Sequence, residues 1–521
     1  MLVPLPSHLL ERSGHFVLDQ DTALRVTPGT EDAADLLRAA ITPGTGLPLP
    51  ARADGRVTLT LDHALGGLGP EGYGLTVSPQ AVILRAATPA GLRHGVHTLA
   101  QLLPPPALSA TPVRGIPWEL PCVEITDRPR FAWRGAMLDV ARHFMPIDFV
   151  HRFVDLLALH KLNVLHLHLT DDQGWRMPVP AYPALTGTGA WRTRSRLGRR
   201  TSGQWDDTPH GGSYTRAELT GLVAHAASRG ITVVPEVEMP GHARAAIAAY
   251  PHLGTVPGRE LPVWTDWGVC DTVLGVHDEV LDFCRAVLTE VMDVFPSPYV
   301  HIGGDECPAG EWQSDPRARQ RVHDEGLPGT PALRGWFLRR IASFLQEHGR
   351  TPVTWDEGEA DALPPDVLTM PWRTTAHARA AVARGHRVVT TPFRHTYLDY
   401  ARSDDPAERL GQPGPVTLDD ITGWDPAPAA EYGADAASVL GTQAQLWSEL
   451  MPTPAHVEYQ AFPRLAALAD VAWRAPGDAG GEGPRSFAAR LVRHGDRLDA
   501  LGVRHRTPPS PTGLENAAAR L

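Results

Sequence analysis

Short apolar runs alternate with segments of helical periodicity between about residues 125 and 473. Runs of this length, bounded by turn residues, are typical of buried β-strands. The candidate strands span residues 135–140, 164–169, 231–237, 299–302, 352–355, 367–370, 387–390 and 439–446. Eight strands with helices between them predict a (β/α)8 barrel with insertions. The alternative is an open doubly wound sheet, but no Gly-rich phosphate loop follows the first strand.

The segment before the barrel has a different pattern. Residues 57–61 and 74–77 alternate apolar and polar positions as strands do, and residues 81–84 add a further candidate. Residues 90–103 have apolar positions at helical spacing, and three consecutive prolines end that helix. The Pro-rich stretch that continues through Pro121 is interpreted as the passage to the barrel. We therefore expect a small α/β domain at 1–125, the barrel at 126–475, and a linker with one packing helix at 476–521.

Composition narrows the class of protein. The chain has 521 residues and a net charge of −11, which argues against a nucleic-acid partner and gives no basic face for anionic membranes. It contains no apolar run of 18 residues, and its first residues lack the pattern of a signal peptide. Four cysteines without metal-ligand spacing suggest free thiols in a reducing compartment. The sequence thus predicts a cytoplasmic protein that does not bind membranes.

Polar and aromatic residues follow the predicted strands. In a barrel of this kind the carboxyl ends of all strands face one mouth, where active sites lie. Aromatic faces stack on the apolar face of a sugar ring, while carboxylates and arginine bind its hydroxyls. The residues at or just beyond the strand ends are Arg142, Asp171, His242, Asp305, Glu306, Trp355, Trp372, Tyr397, Asp399, Trp447 and Glu449. This collection predicts a sugar-binding pocket at the mouth.

The segment Gly303-Gly304-Asp305-Glu306 is the most informative part of this collection. Neighbouring side chains in a strand point to opposite faces, so both acids can share a pocket only if the strand has already ended. The two glycines make such a bend possible. Adjacent carboxylates repel each other, and we expect the pKa of one of them to rise. A neutral acid beside an anion is what glycoside cleavage requires.

On the basis of these residues, the chain resembles the β-N-acetylhexosaminidases of glycoside hydrolase family 20. The resemblance covers the N-terminal α/β domain and the barrel. The motifs that carry it are Arg134-Gly135, Arg142-His143-Phe144, Lys161-Leu162-Asn163, Asp171-Asp172-Gln173, Pro240-Gly241-His242, His301-Ile302-Gly303-Gly304-Asp305-Glu306, Trp355-Asp356-Glu357 and Trp447-Ser448-Glu449. The resemblance implies an exo-acting, retaining enzyme without a metal or organic cofactor, in which the substrate's own 2-acetamido carbonyl attacks the anomeric carbon.

The resemblance also implies catalytic roles. Glu306 is expected to be the general acid, and then the base that activates water. Asp305 is expected to stay ionised, to hydrogen-bond the acetamide N–H and to stabilise the oxazolinium-like intermediate. Asp171 and His242 are expected to form a hydrogen-bonded pair behind Glu306, with Asp172 as a capping or packing residue.

The remaining residues are implied to bind the substrate. Tyr397 is expected to hold the acetamide oxygen. One further group of residues is expected to form the walls of the N-acetyl pocket, and another to bind the sugar hydroxyls. The pocket walls are Trp355, Trp372 and Trp447, of which Trp372 has the weakest sequence support; the hydroxyl-binding residues are Arg142, Asp399 and Glu449. The role of Trp424 and the preference between gluco and galacto epimers stay open. Expected partners are oligosaccharides or glycoconjugates that contain N-acetylhexosamine, and a homodimer is possible.

Two other classes are weighed against this one. His166 and His168 lie two residues apart on one face of a predicted strand, as in the metal-binding pair of barrel amidohydrolases. The pair sits on the second strand rather than the first, and an aromatic lining does not suit a hydrated metal. A sugar-binding protein without catalysis would keep the pocket and lose the acid, but Glu306 is present.

Overall fold

A computed structural model of the chain describes residues 2–358, 363–475 and 486–506. Its N-terminal part is one six-stranded sheet with two helices. These elements are β1 (His8–Leu18), β2 (Leu24–Val26), α1 (Glu31–Thr45), β3 (Val57–Leu61), β4 (Tyr73–Val77), β5 (Val82–Ala86), α2 (Pro89–Leu102) and β6 (Trp118–Asp127). The strand order is β1-β6-β4-β5-β3-β2, parallel from β5 to β2 and antiparallel elsewhere. Residues 118–121, expected to belong to a passage between domains, therefore lie in a strand.

The rest of the chain is built around a closed barrel. Its strands and short hairpins are β7 (Trp133–Asp139), β8 (Val164–His168), β9 (Thr170–Asp171), β10 (Gly174–Trp175), β11 (Trp191–Arg192), β12 (Ser195–Leu197), β13 (Gln204–Asp206), β14 (His210–Gly211), β15 (Thr232–Glu236), β16 (Tyr299–His301), β17 (Thr351–Asp356), β18 (Leu368–Pro371), β19 (Val388–Thr390) and β20 (Val439–Leu446). The barrel closes in the order β15-β16-β17-β18-β19-β20-β7-β8, with every pair parallel. The predicted (β/α)8 barrel and all eight of its strands are confirmed.

Helices surround the barrel and join its strands. They are α3 (Ile147–Leu159), α4 (Ala184–Gly187), α5 (Arg216–Ser228), α6 (Arg244–Ala249), α7 (Asp278–Val294), α8 (Gly310–Ser314), α9 (Pro316–Asp324), α10 (Leu333–Glu347), α11 (Thr375–Ala383), α12 (Phe393–Thr396), α13 (Leu418–Thr422), α14 (Ala429–Tyr432), α15 (Pro454–Ala461), α16 (Arg464–Trp473) and α17 (Phe487–Ala500). Helix α3 shows the common pattern: Phe149, Phe153 and Leu157 recur at helical spacing and are buried against the strands.

The tail helix α17 packs Leu491 and Leu498 inward. Most of the predicted linker before it, residues 476–485, and the chain end from 507 lie outside the described residues. The domain limits at 125 and 475 stay predictions. Among the described helices, none is long and apolar enough to cross a membrane. All four cysteines are free thiols.

Candidate active site

Because the eight strands are parallel, their carboxyl ends meet at one mouth. The predicted site residues all come from this end of the barrel. Arg142 follows β7, Asp171 ends β9, His242 follows β15, Asp305 and Glu306 follow β16, Trp355 lies near the end of β17, Trp372 follows β18, Tyr397 and Asp399 follow α12, and Trp447 and Glu449 follow β20. One ring of strand ends thus presents acids, an arginine, a histidine and aromatic rings to the same space.

A strained bend brings Asp305 and Glu306 out of the strand. Gly303 and Gly304 have φ angles of 60° and 99°, and Glu306 itself has a φ of 42°. A Cβ at Gly303 would overlap the carboxylate of Glu238, and one at Gly304 would lie 2.9 Å from a Leu338 methyl carbon. Both positions therefore require glycine, and Glu306 is held in a conformation that costs a non-glycine residue about 1 kcal/mol or more.

His242 connects the acid pair to two further aspartates. Its Nε2 atom lies 3.6 Å from Glu306 Oε2 and 4.0 Å from Asp305 Oδ2. Its Nδ1 atom lies 3.2 Å from both Asp171 Oδ1 and Asp172 Oδ2. Asp172 also accepts the backbone N–H at the start of α6. Asp172 thus caps α6, as the sequence interpretation expected, and it also lies as close to His242 as Asp171 does.

The pKa directions of the acid pair differ from the expected ones. Burial raises the pKa of Asp305 to about 6, and the charges of Glu306 and Glu357 add to this rise, although His242 opposes it. Burial also acts on Glu306, but its hydrogen bond to His242 and the charges of His242 and Arg142 outweigh burial, so its pKa is lowered. Without a ligand, Asp305 is therefore the member of the pair that takes up a proton first as pH falls to about 6. One pKa rises, as repulsion requires, but it belongs to the residue expected to stay ionised.

Burial explains why Asp305 takes the proton. Its side chain is 12% exposed, whereas that of Glu306 is 29% exposed. Glu238, whose pKa burial raises further, is a second buried acid next to Asp305. His242 itself is charged, because the charge and hydrogen bond of Asp171 raise its pKa well above its ordinary value in spite of burial. Its charge lies closer to Glu306 and favours ionisation of that residue.

Aromatic rings form one wall of the site. Trp355 and Trp447 have ring centroids 5.8 Å apart, and Tyr397 lies 6.3 Å from Trp447. Trp372 stacks on Tyr397 at 6.1 Å. Trp355 is almost completely buried and donates its indole N–H to Glu236. Trp372 and Trp447 are partly exposed. The structure thus gives Trp372, the less favoured of the sequence candidates, a face that a ligand can reach.

Three ionisable groups, Arg142, Asp399 and Glu449, accompany these rings at the mouth. Arg142 Nη2 lies 2.7 Å from Asp171 Oδ2, and its guanidinium carbon lies 4.9 Å from the Trp447 ring centroid. In the described part of the chain, Asp399 Oδ1 and Glu449 Oε2 are buried without a hydrogen-bond partner, as is Asp305 Oδ1. Burial raises the pKa of Asp399 and of Glu449. Carboxylate oxygens of this kind are acceptors that await donors from a ligand.

A buried histidine network lies beneath the mouth, and sequence reasoning did not identify its centre, Glu236. His166 Nε2 lies 3.1 Å from Glu236 Oε2, and His301 Nδ1 lies 2.8 Å from Glu236 Oε1. His168 hydrogen-bonds Glu236 through Nδ1 and Asp171 through Nε2. The sequence signal that could have identified Glu236 is the pairing of His-x-His with Glu-x-Glu on the inward faces of adjacent strands. The His166/His168 pair is thus directed at a carboxylate, and its interpretation as a metal-binding pair is not supported.

Several clusters, two of which include His166 or His168, have a composition that suits a metal ion. Among the described residues, four groups place their ligand atoms within 4.8 Å of one another. They are His166-Glu236-His301, His168-Glu236-Glu238, Asp171-Asp172-His242 and His242-Asp305-Glu306. In each group the carboxylates already lie against histidines of the same network. The expectation that the enzyme needs no metal stays a prediction for experiment.

Glu357 and Trp424 have clear contacts, and Glu357 contacts the acid pair. Glu357 accepts the backbone N–H of Glu306 at 3.0 Å and pairs with Arg373. Trp424, whose role the sequence left open, stacks on His395 with ring centroids 5.0 Å apart. Glu357 thus fixes the backbone at the strained position of Glu306.

Comparisons with known proteins identify the family of the chain. Residues 131–476 match glycosyl hydrolase family 20, catalytic domain, and residues 1–128 match domain 2 of the same family. A β-hexosaminidase of Porphyromonas gingivalis is 35% identical over 97% of this chain, which spans 64% of that protein. A β-N-acetylhexosaminidase of Cellulomonas fimi is 34% identical over 99% of both chains. The structure of the exo-β-N-acetylglucosaminidase of Vibrio harveyi with N-acetylglucosamine is 31% identical, with a TM-score of 0.86 over 98% of this chain and 78% of that one.

The two family matches cover nearly the whole described chain, and the similarity extends over both the sheet domain and the barrel. The chain is therefore an enzyme that hydrolyses glycosidic bonds, and it belongs to glycosyl hydrolase family 20.

Proposed function

We propose that the chain is an exo-acting, retaining β-N-acetylhexosaminidase that releases terminal non-reducing N-acetyl-β-D-glucosamine or N-acetyl-β-D-galactosamine. The observation that carries the proposal is the Asp305–Glu306 pair, in which a buried oxygen of Asp305 has no hydrogen-bond partner among the described residues. An acetamide N–H is a donor that suits this oxygen. The names of the relatives agree, since they act as hexosaminidases.

The reaction proceeds in two steps. The acetamide oxygen of the bound sugar attacks the anomeric carbon, and the bond to the leaving oxygen breaks as Glu306 donates its proton to that oxygen. Asp305 accepts the acetamide N–H and stabilises the positive charge of the oxazolinium intermediate. Water then attacks the anomeric carbon while Glu306 takes its proton, and the acetamide is regenerated. Tyr397 holds the acetamide oxygen as a neutral donor, because burial raises its pKa well above the ordinary value.

Substrate binding must reverse the order of the two proton affinities, so that Glu306 becomes the protonated member of the pair. The donated N–H stabilises ionised Asp305 and lowers its pKa. The leaving group covers the more exposed Glu306, and the new charge on Asp305 acts on it, so the pKa of Glu306 rises. His242 and Asp171 tune the proton affinity of Glu306 from behind. The pair therefore becomes a neutral acid beside an anion only when an acetamido sugar is bound, which restricts catalysis to such substrates.

The remaining residues position the sugar. Trp355, Trp372 and Trp447 enclose the N-acetyl group, exclude water and hold the acetamide oxygen near the ring. The sugar hydroxyls are bound by a second set, made up of Arg142, Asp399 and Glu449. Oligosaccharides or glycoconjugates that end in an N-acetylhexosamine are the proposed substrates. A cytoplasmic location and a homodimer stay predictions from the sequence.

The test is hydrolysis of p-nitrophenyl β-glycosides of N-acetylglucosamine, N-acetylgalactosamine and glucose, with and without EDTA. We expect rapid cleavage of the two N-acetyl sugars, little cleavage of the glucoside, and no effect of the chelator. The glucoside is the matched control, because it differs from the first substrate only in lacking the acetamido group. Equal cleavage of the glucoside would contradict acetamide participation, and loss of activity with EDTA would restore a metal-dependent mechanism. The ratio of the first two rates gives the epimer preference.

A further inference from the structure

A cavity lies between the N-terminal domain and the barrel. Its lining comes from α1, α2 and the segment before β6 on one side, and from α3, the end of α5 and the end of α17 on the other. Leu159 ends α3 and Arg229 follows α5, and each of these helices leads into the amino end of the next barrel strand. The sugar site is at the carboxyl ends of the strands. The cavity is therefore near the opposite end of the barrel, and an inference about it does not rest on the proposed function.

The walls of the cavity are mainly apolar. Its volume is about 410 Å³, which is within the range of small-molecule sites. Buried leucines come from both domains: Leu36 and Leu108 from the first, and Leu156 and Leu159 from the second. A ligand with an apolar body would pack against these side chains and leave water, which favours its binding.

The charged side chains of the lining are neutralised within the protein. They are Arg152, Asp155 and Arg229. Arg229 Nε lies 2.9 Å from Asp155 Oδ1, and Arg152 Nε lies 2.6 Å from Glu458 Oε1. Since each of these charges already has an opposite charge beside it, neither an anion nor a cation would gain an unpaired countercharge in the cavity. The lining therefore favours an uncharged ligand.

One polar side chain of the lining is buried without a partner. His97, on α2, is 6% exposed, and its Nε2 atom has no hydrogen-bond partner among the described residues. Burial lowers the pKa of His97 to about 3, so its ring is neutral at pH 7. The nitrogen of a neutral imidazole is a donor or an acceptor, depending on the tautomer, and a hydroxyl group can pair with either. A ligand hydroxyl would thus relieve the cost of leaving this buried nitrogen unpaired.

We propose that the cavity is a binding site for a small, uncharged apolar molecule that carries one hydroxyl group. The apolar body packs between the leucines of the two domains, and the hydroxyl forms a hydrogen bond with His97 Nε2. Binding is non-covalent and uses none of the residues at the barrel mouth. Because the ligand binds only the folded chain, in which the two domains are together, it also stabilises that chain.

The test uses 2-naphthol, an uncharged bicyclic molecule with one hydroxyl, as the probe. Naphthalene is the matched ligand, because it differs only in lacking the hydroxyl. Equilibrium dialysis against the full chain at pH 7 measures both dissociation constants. We expect 2-naphthol to bind about tenfold tighter than naphthalene, since only the first can pair with His97. No binding of 2-naphthol, or equal affinity for the two molecules, would overturn the proposal.

Two variants locate the bound probe. Ala39→Trp places a large side chain at the cavity from an exposed position on α1, and the affinity for 2-naphthol should fall about tenfold or more. His97→Phe keeps a ring but removes the nitrogen, so it should bind 2-naphthol and naphthalene equally. Val492→Trp is the matched control, because Val492 is 52% exposed on α17 and is not part of the lining. Unchanged affinity in Ala39→Trp would show that the probe lies elsewhere and would overturn the assignment of this cavity.

A second copy of the chain is the other occupant to exclude. We expect sedimentation velocity to give the same oligomeric state for the wild-type chain and for Ala39→Trp. A wild-type dimer that Ala39→Trp dissociates would show that the second copy covers the cavity, and it would overturn the proposal.

Discussion

The interface between the N-terminal domain and the barrel buries charged side chains as completely as the barrel mouth does, but the two regions partner them differently. At the interface, Lys161, the only lysine of the chain, donates to Asp127 at 2.8 Å and to the Tyr73 hydroxyl at 2.9 Å. Trp473 donates to the other oxygen of Asp127. Each of these charges has a donor or acceptor from the opposite domain or from the barrel itself, so this network serves stability.

At the mouth, by contrast, buried oxygens of Asp305, Asp399 and Glu449 have no hydrogen-bond partner among the described residues. A buried acceptor without a donor costs about 1–3 kcal/mol. Glu306 and His242, with φ angles of 42° and 48°, add backbone strain in the same place. Burial of charge alone therefore does not mark a functional site. At the mouth, a ligand can supply the donors that these buried oxygens lack.

The sharpest way to separate the two regions is Glu306→Gln. We expect kcat to fall about 10²- to 10⁴-fold, since the acid and base are removed, while substrate binding changes little. The free energy of unfolding should fall by no more than about 1 kcal/mol, because His242 and Arg142 favour ionised Glu306 but its side chain is 29% exposed. Steady-state kinetics measure kcat, and urea unfolding measures the free energy of unfolding. Glu347→Gln, at an exposed position at the end of α10, is the control. Near wild-type turnover of Glu306→Gln would refute the assignment of the acid.

The opposite outcome is expected at the interface. Lys161→Met leaves Asp127 buried without its cation, and the free energy of unfolding should fall by about 3–5 kcal/mol. The folded fraction should keep its kcat, because the change lies at the other end of the barrel from the mouth. Arg12→Met is the comparison, since the Arg12–Glu124 pair is half exposed and should contribute no more than about 1 kcal/mol. Equal, small losses in both variants would remove the proposed difference between the regions.

Asp305→Asn is expected to change the free energy of unfolding by less than Lys161→Met does, and in the opposite direction. The pKa of Asp305 is raised to about 6, so its ionisation at pH 7 destabilises the folded protein. At about 1.4 kcal/mol per pH unit, the variant should be more stable at pH 7 by up to about 3 kcal/mol. Its kcat should nevertheless fall, because the acetamide loses its anionic acceptor. Thermal unfolding at pH 7 and kinetics give the two values; a variant that is less stable than the parent would show that Asp305 has a stabilising partner.

The pH dependence gives the mildest contrast. Stability from Asp127, whose pKa Lys161 lowers in spite of burial, is present above the unfolded pKa of about 4 and is lost as pH falls. Asp305 acts oppositely: its cost to stability appears as pH rises through about 6. Free enzyme with protonated Asp305 is inactive in this account, so kcat/KM should drop as pH falls below about 6. A profile that stays flat down to pH 4 would contradict the need for ionised Asp305.

The barrel could be predicted from sequence because its strands are buried on both faces and appear as continuous apolar runs. Three strands of the N-terminal sheet, β1, β2 and β6, could not be predicted, and β2 is only three residues long. Most of β1 is exposed and carries charged residues, so it lacks an apolar pattern. In β6, Pro121 pairs with His15 where the register of β1 shifts, and such an irregularity tolerates proline. A proline that normally argues against a strand was therefore misleading.

At the site, residue types and spacing predicted which side chains gather at the mouth, because each follows a strand end. They could not predict the central position of Glu236 or the shared role of Asp172, since those depend on which strands are neighbours. The sequence also could not predict which acid of the Asp305–Glu306 pair has the higher pKa. It depends on the greater burial of Asp305 and on the distance from His242 to Glu306, and both are properties of the folded chain.

The central claim is that the substrate's acetamide is the nucleophile and that Asp305 stabilises its cyclised form. Calorimetry of wild-type enzyme with the thiazoline analogue of that intermediate and with N-acetylglucosamine tests this claim most directly. We predict that the thiazoline binds at least about 100-fold tighter, as ligands that resemble a transition state do, and that Asp305→Asn loses most of this difference. Equal affinity of the wild-type enzyme for the two ligands would contradict neighbouring-group participation.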